Sequence, residues 1–98
     1  MNQNGYAEKW VLILYVASMT PAARRALHNV KAICDLYLKE EYSLQVIDLM
    51  EQPALAEADQ IFAVPTLVRK VPGPLRKIIG DLGDSEQVLV GLGLTAAA

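Results

Sequence analysis

Val11-Leu12-Ile13-Leu14-Tyr15-Val16, with the Thr20-Pro21 that soon follows, decides the fold of this chain. The run is short, β-branched and apolar at every position, which is how a strand buried on both faces reads. Thr20-Pro21 supplies an N-cap and a proline at the first helical position, where the missing N–H is no loss. From there Ala23, Ala26, Leu27, Val30, Ile33, Cys34, Tyr37 and Leu38 recur at helical spacing, with Arg24, Arg25, His28, Lys31 and Asp35 on the opposite face. The helix gives out in Lys39-Glu40-Glu41-Tyr42, and Leu44-Gln45-Val46-Ile47-Asp48-Leu49 reads as a second strand. Strand, amphipathic helix and strand make a βαβ unit with a parallel pair.

Downstream the elements shorten. Pro53 opens a brief run of helix formers, Ala54 to Asp59, and Ala63-Val64-Pro65-Thr66-Leu67-Val68 is β-prone with a proline at its entry. That proline suits a strand start or a cis turn into the sheet. Val71-Pro72-Gly73-Pro74 must be a loop, and Leu75 to Ile79 reads as a strand or a helical turn. The last segment carries two signals. Asp84-Ser85-Glu86-Gln87 looks like a helix start, yet Val88, Val90, Leu92 and Leu94 alternate with Leu89, Gly91 and Gly93 at strand period. The glycine pair and the alternation tilt the expectation toward a strand. Thr95 to Ala98 is expected to fray.

The whole chain, 1–98, is expected to be one domain, because 98 residues suffice for one core. Apolar residues make up 53% and charged ones 20%, the latter somewhat under the ~25% of an ordinary soluble domain. A net charge of −2 argues against a nucleic-acid or acidic-membrane partner, which would need a basic field. The apolar run ending at Ala17 falls far short of the ~20 residues of a membrane span. Met1 to Tyr6 lacks the basic region of a signal peptide, so the expected location is the cytoplasm.

Little here suggests catalysis. The order of elements, with a proline before the third strand, suggests a thioredoxin-like arrangement, whose redox cysteines would stand between the first strand and its helix. This chain has Ala17-Ser18-Met19 there, which excludes thiol–disulfide exchange. Cys34, the single cysteine, lies on the apolar helix face and reads as an inert core residue. His28 sits on the polar face without converging ligands. Asp81, Asp84 and Glu86 match no calcium loop, and Gly80 to Gly83 lacks the lysine of a phosphate loop. No metal or cofactor is expected. Two basic clusters remain, Arg24-Arg25 with His28, and Arg69-Lys70 with Arg76-Lys77. Each reads either as a solvated face or as a contact for an acidic patch on another protein.

Several blocks are more specific: Leu14-Tyr15-Val16-Ala17 with Thr20-Pro21, Val46-Ile47-Asp48-Leu49 with Gln52-Pro53, Pro65-Thr66-Leu67-Val68-Arg69-Lys70, and above all Pro74-Leu75-Arg76-Lys77-Ile78-Ile79-Gly80-Asp81-Leu82. From Trp10 to Leu94 the sequence resembles the KaiB family of circadian clock proteins. The resemblance implies a non-enzymatic clock component that binds the hexameric ATPase KaiC, competes there with the sensor domain of a histidine kinase, and in cyanobacteria recruits KaiA. It also implies two interconverting folds, both α/β and of the thioredoxin-like superfamily, sharing the N-terminal βαβ. One is a ground state, βαββααβ, that assembles as homodimers or homotetramers; the other is a thioredoxin-like monomer, βαβαββα, that binds KaiC. By resemblance, the partner-binding positions are Arg25, His28, Gln60, Arg76 and Lys77, and the positions tied to fold exchange are Pro65, Pro74, Gly91 and Gly93. His28 and Gln60 stand where cyanobacterial members carry Lys, and Ser18-Met19 replaces the usual Gly-Asn, which points to a non-cyanobacterial branch. A sensor-type module that binds a histidine kinase, without clock function, is the alternative.

Overall fold

The computed structural model describes residues 9–94. The N-terminal Met1 to Tyr6 and the expected frayed end at Thr95 to Ala98 lie outside the described residues. Seven elements follow in the order β1 (Trp10–Val16), α1 (Pro21–Tyr37), β2 (Tyr42–Asp48), α2 (Leu55–Asp59), β3 (Thr66–Val71), β4 (Arg76–Ile79) and α3 (Ser85–Leu92). This βαβαββα order is the thioredoxin-like one of the two arrangements that the resemblance implies. The sheet runs β2-β1-β3-β4, with β1 and β2 parallel and the other pairs antiparallel.

The apolar run of β1 has the cause its sequence suggested. Strand alternation sends Leu12, Leu14 and Val16 toward α1 and α3, where they join Ala26, Val30, Leu67, Ile78, Leu82, Val88 and Leu92 in the larger core. It sends Ile13 and Tyr15 to the other face, against Ile47, Ile61 and Val68 beneath α2. Thr20 caps α1 by accepting from the Ala23 N–H at 3.1 Å, with Pro21 next. Both halves of the βαβ reading hold.

The last segment corrects the strand expectation: Ser85–Leu92 is a helix. Three local features outweigh the alternation. Asp84 caps the start, accepting from the Gln87 N–H at 3.1 Å. Val88 and Leu92, one helical turn apart, are both buried, whereas Val90 is not fully covered. Gly91 lies where a Cβ would stand 2.8 Å from the Ile78 side chain, so its bareness lets α3 close on β4. Gly93 then ends the helix in the left-handed region at φ 80°. A glycine pair that weakens a strand is here a close-approach residue and a C-cap.

The other entries to the second half are as the sequence suggests. Val64–Pro65 is cis and leads into β3, and the 72–75 loop holds cis bonds at Val71–Pro72 and Gly73–Pro74. The Arg76–Ile79 segment resolves as a strand, in register with β3 from Thr66↔Ile79 to Arg69↔Arg76.

Candidate functional site

Where thioredoxins carry a redox pair, this chain has a thiol-free turn. One carboxylate oxygen of Asp48 accepts from the Ser18 N–H at 3.0 Å and the Met50 N–H at 2.9 Å, tying the β1–α1 loop to the end of β2. Cys34 is fully buried under α1, and burial, helped by the charge of Asp35, pushes its thiol up to about 12. At neutral pH it is a protonated core side chain. Among the described residues no group of three His, Cys, Asp or Glu converges to hold a metal.

What the end of the sheet does present is a mixed apolar and basic rim. The turn after β4 is anchored from within, because Leu82 is buried in the larger core at φ 62°. Asp81 is held on three sides: its carbonyl accepts from Asn29 Nδ2 at 3.0 Å, Oδ1 accepts from the Gly83 N–H at 3.0 Å, and Oδ2 lies 3.5 Å from Arg25 Nε. The Gly80 N–H donates to the Pro65 carbonyl at 2.9 Å, and Lys77 Nζ donates to the Gln60 carbonyl at 2.9 Å. These contacts fasten the end of β4 and the turn after it on both sides, to Arg25 of α1 through Asp81 and to Pro65 and Gln60 through Gly80 and Lys77. His28, three residues after Arg25 on α1 and also exposed, lies beside that arginine.

Five large apolar side chains at this end are exposed. Phe62 is 93% exposed, Met50 71%, Ile79 64%, Met19 41% and Val64 40%. Phe62 and Val64 lie on the connection from α2 to β3, and Ile79 and Lys77 project from the α2 side of β4. Bare apolar groups ringed by polar ones are the composition of a protein-binding patch. Sequence reading found the basic positions but not Phe62, which is the chain's single phenylalanine and belongs to no periodic pattern.

The second basic cluster is corrected. Because Arg69 pairs with Arg76 and Val68 with Lys77, strand alternation divides each Arg-Lys pair between the two faces. Arg69 is 6% exposed, its Nη1 donating to the Leu92 carbonyl at 2.7 Å and its Nη2 to the Pro74 carbonyl at 2.8 Å. Lys70 points the other way and bonds Asp59, whose second oxygen accepts from the Tyr15 hydroxyl at 2.6 Å. Burial works to raise the Asp59 carboxyl, but hydrogen bonds from Lys70 and Tyr15 and the charges of Lys70 and Lys77 outweigh it, leaving the pKa below its ordinary value. The same burial, reinforced by Asp59, pushes the Tyr15 hydroxyl up to about 12. Of this cluster, Lys77 belongs to the rim and Arg76 faces the α3 side, away from it.

Of the fold-exchange positions, Pro65 meets the rim through its carbonyl, Pro74 receives Arg69, and Gly91 and Gly93 shape α3 as described.

Comparison with known proteins separates shape from descent. The N-terminal domain of Synechococcus elongatus SasA superposes with a TM-score of 0.76 at 27% identity, covering 100% of this chain and 96% of that one. Mitochondrial thioredoxin 3 from Saccharomyces cerevisiae gives 0.70 at 20% identity, covering 90% and 80%, a likeness of fold alone. In sequence, the circadian clock oscillator protein KaiB of Gloeothece citriformis is 50% identical over 93% of this chain and 86% of its own length. That of Prochlorococcus marinus subsp. pastoris is 52% identical over 87% and 79%. The KaiB domain model matches residues 13–94, which takes in the second half of β1, the whole rim and α3. A thioredoxin-like shape without thioredoxin cysteines, and this likeness along nearly its full length, have one explanation: the chain belongs to the KaiB family.

Proposed function

We propose that this chain is a non-enzymatic clock or signalling protein that binds a KaiC-type hexameric ATPase through the rim at the end of its sheet and modulates that ATPase's phosphorylation cycle or output. The observation that supports it most is the rim itself. Gln60 and Lys77 lie beside the exposed Phe62, Val64 and Ile79, while Arg25, tied to Asp81 in the turn after β4, and the exposed His28 stand on α1 across the end of the sheet, a surface suited to a partner with apolar and acidic groups. Arg76 lies off this surface and contributes to a second contact or to none. Incubation with a KaiC homologue and ATP, followed by pull-down, should give a complex that Phe62→Ala weakens by about tenfold or more and Arg25→Ala by less. No complex after hours of incubation overturns the reading.

The likeness in shape to the SasA N-terminal domain favours a second reading, a thioredoxin-like module that binds a histidine kinase and has no clock role. Capture of a kinase but no KaiC homologue would select it. A KaiA-like protein is a further candidate partner, for the same pull-down. We also propose that the second half rearranges, with Pro65, Pro74, Gly91 and Gly93 at the moving positions, and that the rearranged form is a homodimer or homotetramer. Light scattering after size exclusion tests this: a monomer at every concentration would count against it. No helix of the described residues is long and apolar enough to cross a membrane. The proposed site of action is the cytoplasm, which fractionation of cells would check.

A further inference from the structure

Arg69 is a buried cation with no carboxylate in salt-bridge range among the described residues. Its two terminal nitrogens reach one carbonyl at the C-terminus of α3 and one in the 72–75 loop, and its guanidinium lies 5.6 Å from the centre of the Trp10 ring. Its Nε is buried with no partner, and Arg76, its like-charged neighbour in register, faces the same side. A cation so placed is held by the negative end of a helix, by carbonyl dipoles and by a π face, in place of water. Each support is weak alone, and the strongest exists only while α3 is docked. If α3 leaves, the guanidinium loses the Leu92 carbonyl and the cover that keeps water out, so burying Arg69 and docking α3 are coupled. Gly93 belongs to the same device, because a Cβ there would stand 2.8 Å from Arg69 Nη1.

We propose that Arg69 is a latch for α3: one buried guanidinium, shared between Leu92, Pro74 and Trp10, decides whether residues 85–94 dock as a helix, and makes that segment releasable separately from the βαβ half. The inference stands apart from any partner, since it concerns contacts within the chain. The experiment is amide hydrogen exchange on the full chain, read at α3 and at β1, with the emission of Trp10, the single tryptophan, as a second signal. Arg69→Met keeps the apolar stem and removes the fork. It should lower protection across α3 by about tenfold or more while β1 stays within about threefold, and Trp10 emission should shift. Arg69→Lys, which keeps the charge but not the two separate nitrogens that reach Leu92 and Pro74, should fall between. Wild-type protection of α3 in Arg69→Met overturns the proposal, as does an equal loss in α3 and β1, which would make Arg69 an ordinary core residue. Full protection in Arg69→Lys overturns the fork. Should Arg69→Met fail to fold, Arg69→Gln, which keeps a polar tip without the charge or the fork, carries the test: selective loss at α3 is expected, and unchanged exchange sinks the latch.

Discussion

The βαβ half, residues 10–48, and the half that follows, residues 55–94, are built on different principles. The first pairs β1 with β2 over seven residues, from Trp10↔Tyr42 to Val16↔Asp48, and packs a seventeen-residue helix across them. Its apolar side chains meet by period, and polar ties such as Tyr42 to Asp35 and the Ser18 N–H to Asp48 add to a core already joined. The second has a five-residue helix, a four-residue strand and an eight-residue helix, none long enough to be stable by itself. Its elements are fastened one by one with polar side chains: Asp59 holds α2 through Tyr15 and Lys70, Arg69 holds α3, and Asp81 holds the turn between β4 and α3. A region built on periodicity tolerates exchange of its parts. A region built on single fastenings can be released one fastening at a time.

That contrast can be broken first at its strongest point. Leu14→Ala, at a position with no exposure in the centre of β1, should cost about 2–5 kcal/mol and unfold both halves together in a urea melt. Separate transitions would mean that the second half does not depend on the first. Next, Asp59→Asn removes the charge and leaves Lys70 and Tyr15 one accepting oxygen in place of two, and should cost about 1–3 kcal/mol, seen as loss of exchange protection at α2 more than at α1. The pH dependence sharpens the same point. Asp59 titrates lower in the fold than in the open chain, so its contribution is present above its ordinary value near 3.8 and is lost as pH falls through the folded value. Tyr15 is raised from 10 to about 12, so its contribution is present below 10 and lost as pH climbs toward 12. In Asp59→Asn the acid limb should vanish, and a spectrophotometric titration should find Tyr15 ionising at lower pH than in the wild type.

A smaller effect is expected at Gly91→Ala. Alanine gains about 1 kcal/mol of helix propensity, but its methyl meets Ile78 at 2.8 Å, and overpacking of this kind costs about 1–3 kcal/mol. The net should be a loss of about 1 kcal/mol that shrinks in an Ile78→Ala background, a coupling measurable by a double-mutant cycle. Smallest of all, Asp81→Asn weakens an ion pair whose side chains are 59% and 48% exposed, and should change stability by less than about 1 kcal/mol. A larger loss would show that the turn hangs on that pair and not on Leu82.

Legibility followed the same division. β1, α1 and β2 could be read because each repeats its pattern over at least seven residues, and Thr20-Pro21 marks a boundary by local chemistry. The α3 segment misled because Val88, Val90, Leu92 and Leu94 fit a strand as written; which of them is covered depends on Ile78 and Leu82, several residues upstream. The rim was half legible. Arg25, Gln60 and Lys77 came from the resemblance, while Phe62 and Ile79 carry no local sign that they stand uncovered. Arg69 and Lys70 read as one basic patch, and only the register of β3 against β4 sends them to opposite faces.

By itself, then, the sequence determined the family, the βαβ start, the absence of a redox pair at residues 17–21 and the loop at Pro72 to Pro74, since each rests on residues adjacent in the chain or repeated at a fixed period. Only the tertiary structure decided that the last segment is a helix, that Arg69 is buried and Phe62 bare, and that Tyr15 shares Asp59 with Lys70. Those outcomes join residues 44, 23 and 11 positions apart, and no local propensity can register a partner that distant.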